Sequence, residues 1–71
     1  MNTKLQRMLV KINNYSKEIK REAEYISELV NEVVESEDIT QIEMAFDNIE
    51  RWAKEAYDVC RHTYDEFEEE E

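Results

Sequence analysis

Asp58, His62 and Glu66 stand four residues apart, on one face of any helix drawn through them, with Cys60 close by. A carboxylate, an imidazole and a second carboxylate form a donor set that can hold a divalent metal. The spacing matches no established zinc pattern, however. The Glu-x-x-His pairs of carboxylate-bridged di-metal bundles are also missing. A surface ion pair between Asp58 and His62 is the simpler reading, so no metal or other cofactor is expected. Cys60 would need a base held against it to act as a nucleophile, and His62, two residues on, points to a different side of the helix. A cysteine on the apolar phase of a helix is more simply a small core residue. The chain has no Gly-rich phosphate loop, since it contains no Gly and no Pro. Two helices also enclose little pocket volume, so an enzyme is not expected.

The second kind of chemistry available is charge. Between Glu22 and Glu50 there are ten Asp or Glu and no Lys, Arg or His, so the whole formal charge of −10 resides there. The flanks cancel: residues 1–21 carry six bases and one acid, residues 51–71 three bases and eight acids. Glu24, Glu28, Glu32 and Glu35 recur as one stripe on the outer face of a first helix. Glu43, Asp47 and Glu50 repeat the pattern on a second. Like charges four residues apart destabilise a helix slightly, and no base relieves them here. Folded as two arms, this stretch carries about one charge per 2 Å of axis, close to the roughly 1.7 Å of duplex DNA. These seven residues are therefore expected to form an acidic partner-binding face. A solvated face that keeps a small protein soluble is the alternative reading.

Those residues need helices to position them. The absence of Gly and Pro argues for long helix over tight turns. Thr3-x-x-Gln6 is a capping box that starts a helix near Lys4. Leu5, Met8, Ile12, Tyr15, Ile19, Ile26, Leu29 and Val33 then step by three and four, with Glu22 the one polar exception. Leu9, Ala23, Val30 and Val34 widen that seam. A new apolar phase begins after residues 36–40: Ile42, Ala45 or Phe46, Ile49, Trp52 or Ala53, Ala56, Val59 or Cys60, then Tyr64 and Phe67. Thr40-x-x-Glu43 is a second capping box, with Ile39 and Met44 as a hydrophobic staple across it. The expected fold is all-α: an antiparallel hairpin of helices over about 4–35 and 41–68. It forms one domain over 1–71, with 68–71 a frayed acidic tail. Folding about residue 38 pairs Ile26 with Ile49, Ile19 with Ala56, Ile12 with Tyr64 and Met8 with Phe67.

One seam does not use all the apolar surface. Leu29, Val30 and Val33 on the first helix and Phe46, Trp52 and Val59 on the second are left for an interface, which a homodimeric four-helix bundle would cover. Trp52, Tyr57 and Tyr64 are candidate hot spots within it. The single cysteine cannot form an internal disulfide. No apolar run is long enough to span a membrane or to act as a signal peptide, which points to the cytoplasm (that of the host, if the protein is viral). Net charge this negative excludes direct nucleic-acid binding and anionic membrane surfaces, and makes a basic partner the expected one.

In size and charge the chain looks like the small acidic phage proteins that block restriction or CRISPR machinery. The resemblance is one of class and no motif carries it. It implies a non-enzymatic inhibitor that occupies the basic, nucleic-acid-binding surface of a target protein. A structural or assembly module, binding a partner helix through its apolar side, is the second expectation.

Overall fold

A computed structural model describes residues 3–70, with side chains through residue 67. Two helices, α1 (Thr3–Asn31) and α2 (Ser36–Glu70), fold back on each other as an antiparallel hairpin. The result is a rod, 56 × 15 × 11 Å. Its radius of gyration is 16.5 Å, against about 11 Å for a compact domain of this length.

The two helices meet along one heptad seam. On α1 its a and d positions are Leu5, Met8, Ile12, Tyr15, Ile19, Glu22, Ile26 and Leu29. On α2 they are Ile42, Ala45, Ile49, Trp52, Ala56, Val59, Thr63 and Glu66. All are buried or half-buried, and outside them only Glu18, Asp38, Asn48 and Cys60 are so among the described side chains. The α1 seam is the one expected from the sequence as far as Leu29; Val33, expected to extend it, lies past the end of α1 and is exposed. A strict 3.5-residue repeat holds both seams in contact over the full length, as in any left-handed pair of helices.

The end of α2 departs from expectation. Tyr64 and Phe67 are exposed, and Thr63 and Glu66 take the core positions instead. The heptad runs on past Val59 regardless of polarity, because both polar side chains are satisfied where they lie. The Thr63 hydroxyl donates to the Val59 carbonyl at 2.8 Å. Glu66 receives the Lys4 ammonium at 2.8 Å. A paired polar group can occupy a core position at little cost.

The turn also lies earlier than expected. α1 stops at Asn31 rather than Glu35, and α2 starts at Ser36 rather than Gln41. Thr40 and Glu43 therefore lie inside α2 and do not cap it. The cap is Asp38, whose carboxylate accepts from the backbone N–H groups of Val34 and Glu35, both at 2.9 Å. Asp38 is the third residue of α2, so this is the backward-reaching half of a capping box. Glu37 and Asp38 also place negative charge where the helix dipole favours it. At the other side of the turn, Glu28, Glu32 and Glu35 crowd the negative end of α1, which discourages further helix. No described residue has positive φ. α1 closes instead by tightening: the Glu32 N–H donates to the Leu29 carbonyl at 3.0 Å.

An earlier turn shifts the register. Lys4 meets Glu66, Tyr15 lies beside the Glu55 carboxylate, and Asn48 donates to Glu22 at 3.4 Å. The numbers in each pair sum to 70, not the 76 expected. The facing a and d positions nearest this register sum to 71, so Ile26 lies opposite Ala45, Ile19 opposite Trp52, Ile12 opposite Val59 and Met8 opposite Thr63. The expected acidic tail over 68–71 falls on residues whose side chains lie outside those described; the α2 backbone is helical through Glu70.

Candidate functional site

Two surfaces differ from the rest of the rod, and the heptad positions locate both. Beside the seam, each helix shows one flank at its e positions and the other at its g positions. In an antiparallel pair e faces e and g faces g. The three cross-helix polar contacts above all use g residues (Lys4, Asn48 and Glu55), so they mark the g flank. This flank carries mostly polar side chains, and Lys4, Met8, Lys11, Val59, His62, Asp65 and Glu66 line its groove near the open end of the hairpin.

The e flank is apolar. α2 contributes Ile39, Phe46, Ala53, Cys60 and Phe67, one at every seventh residue. α1 contributes Leu9, Ser16, Ala23 and Val30. All are exposed except half-buried Cys60, which shares a small apolar hollow with Ile12, Thr63, Tyr64 and Phe67. Among the residues expected at an interface, Val30 and Phe46 lie on this flank, and Val33 lies in the connection. Leu29, Trp52 and Val59 occupy the intramolecular seam, where they are half-buried. Tyr57 and Tyr64 are exposed at the edge of the e flank, with the Arg61 guanidinium 5.7 Å from the Tyr57 ring centroid.

The acidic residues are placed differently from the stripes read in the sequence. Glu24 and Glu28 lie on the outer and g-side faces of α1. Glu32 and Glu35 fall in the four-residue connection, because α1 has already ended. Glu43 and Glu50 border the e flank of α2, and Asp47 lies on its outer face. All seven are exposed. They surround the turn half of the rod rather than forming one stripe. The basic residues nearest this zone sit at its margin: Arg51 pairs with Asp47 at 3.2 Å and Arg21 with Glu18 at 3.2 Å. The Asp38 carboxyl is held below its ordinary value by the backbone N–H groups of Glu35 and Val34. It is thus ionised and committed to the cap.

The residues that opened the metal question do not converge. Asp58 and His62 are exposed, whereas Glu66 is buried against Lys4. No three metal-ligating side chains come together among the described residues. Cys60 lies on the e flank and His62 on the g flank, so the two side chains diverge. Tyr15, in the seam, has its hydroxyl pushed above the ordinary value, first by burial and then by the neighbouring Glu55 carboxylate.

The class defined by this fold is the all-α antiparallel two-helix hairpin. No helix among the described residues is long and apolar enough to cross a membrane. The chain matches no protein-family profile, and comparison with curated proteins and with solved structures returns no significant match.

Proposed function

We propose that the protein is a small non-enzymatic binding protein whose acidic turn half occupies a basic, nucleic-acid-binding surface of another protein. It would act in the cytoplasm as a competitive inhibitor, in the manner of anti-defence proteins that stand in for nucleic acid. The observation that carries this reading is the exposure of the seven acids around one end of a narrow rod. With no base between Glu22 and Glu50, that end offers a basic groove charge at about one unit per 2 Å, near the phosphate spacing of a duplex. Acids on the outer faces of both helices and in the connection suit a groove that grips the turn end of the rod, as a nucleic-acid channel does.

The test is affinity capture from a lysate of the source organism, washed at about 0.05 and 0.5 M salt. Binding by dispersed charge should fall at least about tenfold between the two. It should also be lost when Glu24, Glu28, Glu43 and Glu50 are all changed to Lys. Retention of the same basic partner by that variant would refute the reading.

A second reading, a structural or assembly module working through its apolar side, is favoured by the e flank. Five large apolar side chains there (Leu9, Val30, Ile39, Phe46 and Phe67) are at least 40% exposed. Binding of that kind resists salt. The two readings use different faces and can hold together.

A further inference from the structure

We propose that the e flank is covered by a second copy of this chain, packed antiparallel, so that the acidic turn half of each hairpin lies beside the neutral open half of the other. The first argument is area. A compact folded chain of 8.6 kDa exposes roughly 4,700 Å². This chain exposes 5782 Å², an excess of about 1,100 Å². A standard specific interface removes about 800 Å² from each partner. Among the described residues only Leu5, Ile26 and Ala45 are buried and apolar, so the hairpin has surface to spare and little core of its own.

The second argument is the spacing of side chains along the flank. An antiparallel pair related by a two-fold axis across the rod places α2 against α2 and α1 against α1. On α2 the set Ile39, Phe46, Ala53, Cys60, Phe67 is centred on Ala53. Reversed about that centre, Ala53 meets its own copy, Phe46 meets the smaller Cys60, and Ile39 meets Phe67. On α1, Leu9, Ser16, Ala23 and Val30 are centred between Ser16 and Ala23, so Leu9 meets Val30 and Ser16 meets Ala23. In the hairpin register the two centres lie about 2–4 Å from each other along the rod. One axis therefore serves both helices. It passes through small residues, where backbones can approach, with large residues toward both ends.

Charge selects this orientation over the parallel one. Residues 22–50 carry −10 and the remainder is neutral. Parallel packing would gather twenty acids around one half of a bundle whose helices are about 10 Å apart, comparable to the screening length of about 8 Å at physiological salt. Antiparallel packing leaves ten at each end. Parallel packing would bring Glu50 of one copy near Lys20 of the other. That is one exposed pair, worth at most about 1 kcal/mol, and it does not offset the gathered acids.

The test is cross-linking of the full chain with Cys60→Ala and Ala53→Cys, under mild oxidation or with a short bis-maleimide. On the axis, the two introduced thiols meet and a covalent dimer should form at micromolar protein. Wild type, whose Cys60 would lie about 20 Å along the rod from its copy, should cross-link at least about tenfold more slowly. A dimer in which the residue 53 thiols do not cross-link, or in which Cys60 cross-links as fast, overturns the orientation. A chain that sediments as a monomer at about 100 µM overturns the occupant, and leaves the flank to a different partner.

Discussion

Phe46 is where the apolar flank can be weighed against the fold itself. It is 56% exposed in the hairpin, which leaves roughly 110 Å² of a residue able to bury up to about 200 Å². Covering that area is worth about 2.8 kcal/mol at about 25 cal/mol per Å². Alanine keeps part of it, so Phe46→Ala forfeits about 2 kcal/mol per copy. A two-fold interface uses each residue twice, so the dimer loses about 4 kcal/mol. At about 1.4 kcal/mol per decade, the dissociation constant should rise roughly a thousandfold. The monomer should not suffer, because Phe46 is outside the seam and alanine is the better helix former. The assay is sedimentation equilibrium over a concentration series, with circular dichroism confirming unchanged helicity in the dissociated variant. Met44 supplies the control. It is 58% exposed but lies on the g side of α2, so Met44→Ala should shift the constant less than about threefold by the same bookkeeping. If the two variants behave alike, or if Phe46→Ala dissociates only by unfolding, the assignment of the e flank as the interface is wrong.

Glu22 is the one carboxylate in the α1 seam, opposite Ile49. Glu22→Leu should raise the melting temperature by roughly 4–8 °C, about 1 kcal/mol in a domain of this size; no rise in a thermal melt at fixed concentration would mean the seam is not packed there. Asp38→Ala removes the α2 cap and should lower the melting temperature by roughly 4 °C or more. Because the folded Asp38 carboxyl sits below its ordinary value, its contribution is complete above the ordinary carboxylate range. It is lost as pH falls through the lower folded value. The stability difference between wild type and Asp38→Ala should therefore shrink on acidification, even though protonating other acids relieves repulsion in both. Tyr15 has the opposite sense: its raised hydroxyl contributes below the ordinary tyrosine value and loses that contribution as pH rises through the folded one. Tyr15→Phe should flatten the alkaline limb of the stability profile, and an unchanged limb would contradict the Glu55 contact.

Most of α1 could be read from its amino acids, because apolar side chains occupy nearly every a and d position from Leu5 to Leu29. The turn could not. Its cap is Glu35-x-x-Asp38, which lacks the Ser or Thr of the usual box, while Thr40-x-x-Glu43 five residues later has the familiar form and forms no cap. The misplaced turn carried the register with it. At the end of α2, following apolar residues led to Tyr64 and Phe67, whereas the heptad continues through Thr63 and Glu66. What makes those two acceptable is the Val59 carbonyl and the Lys4 ammonium, and neither is visible before the helices are paired. The acidic stripes were drawn on a helix that ran to Glu35. With α1 ending at Asn31, the same residues become a ring about the turn. The apolar e flank was present in the sequence as a strict seven-residue repeat from Ile39 to Phe67. It becomes a surface only when the seam shows which neighbouring positions remain uncovered.

Charge and apolar surface thus divide the rod between them. The turn half carries the acids, and the e flank runs the whole length over a core of few fully buried apolar side chains. Sedimentation equilibrium of the wild-type chain at about 0.05 and 0.5 M salt tests this most directly. A dimer of about 17 kDa, twice the 8.6 kDa chain, should be present at both. Salt should tighten it, because screening relieves repulsion between two chains of charge −10 while leaving apolar burial intact. A species of 8.6 kDa at every concentration, or a dimer that salt dissociates, would contradict the account.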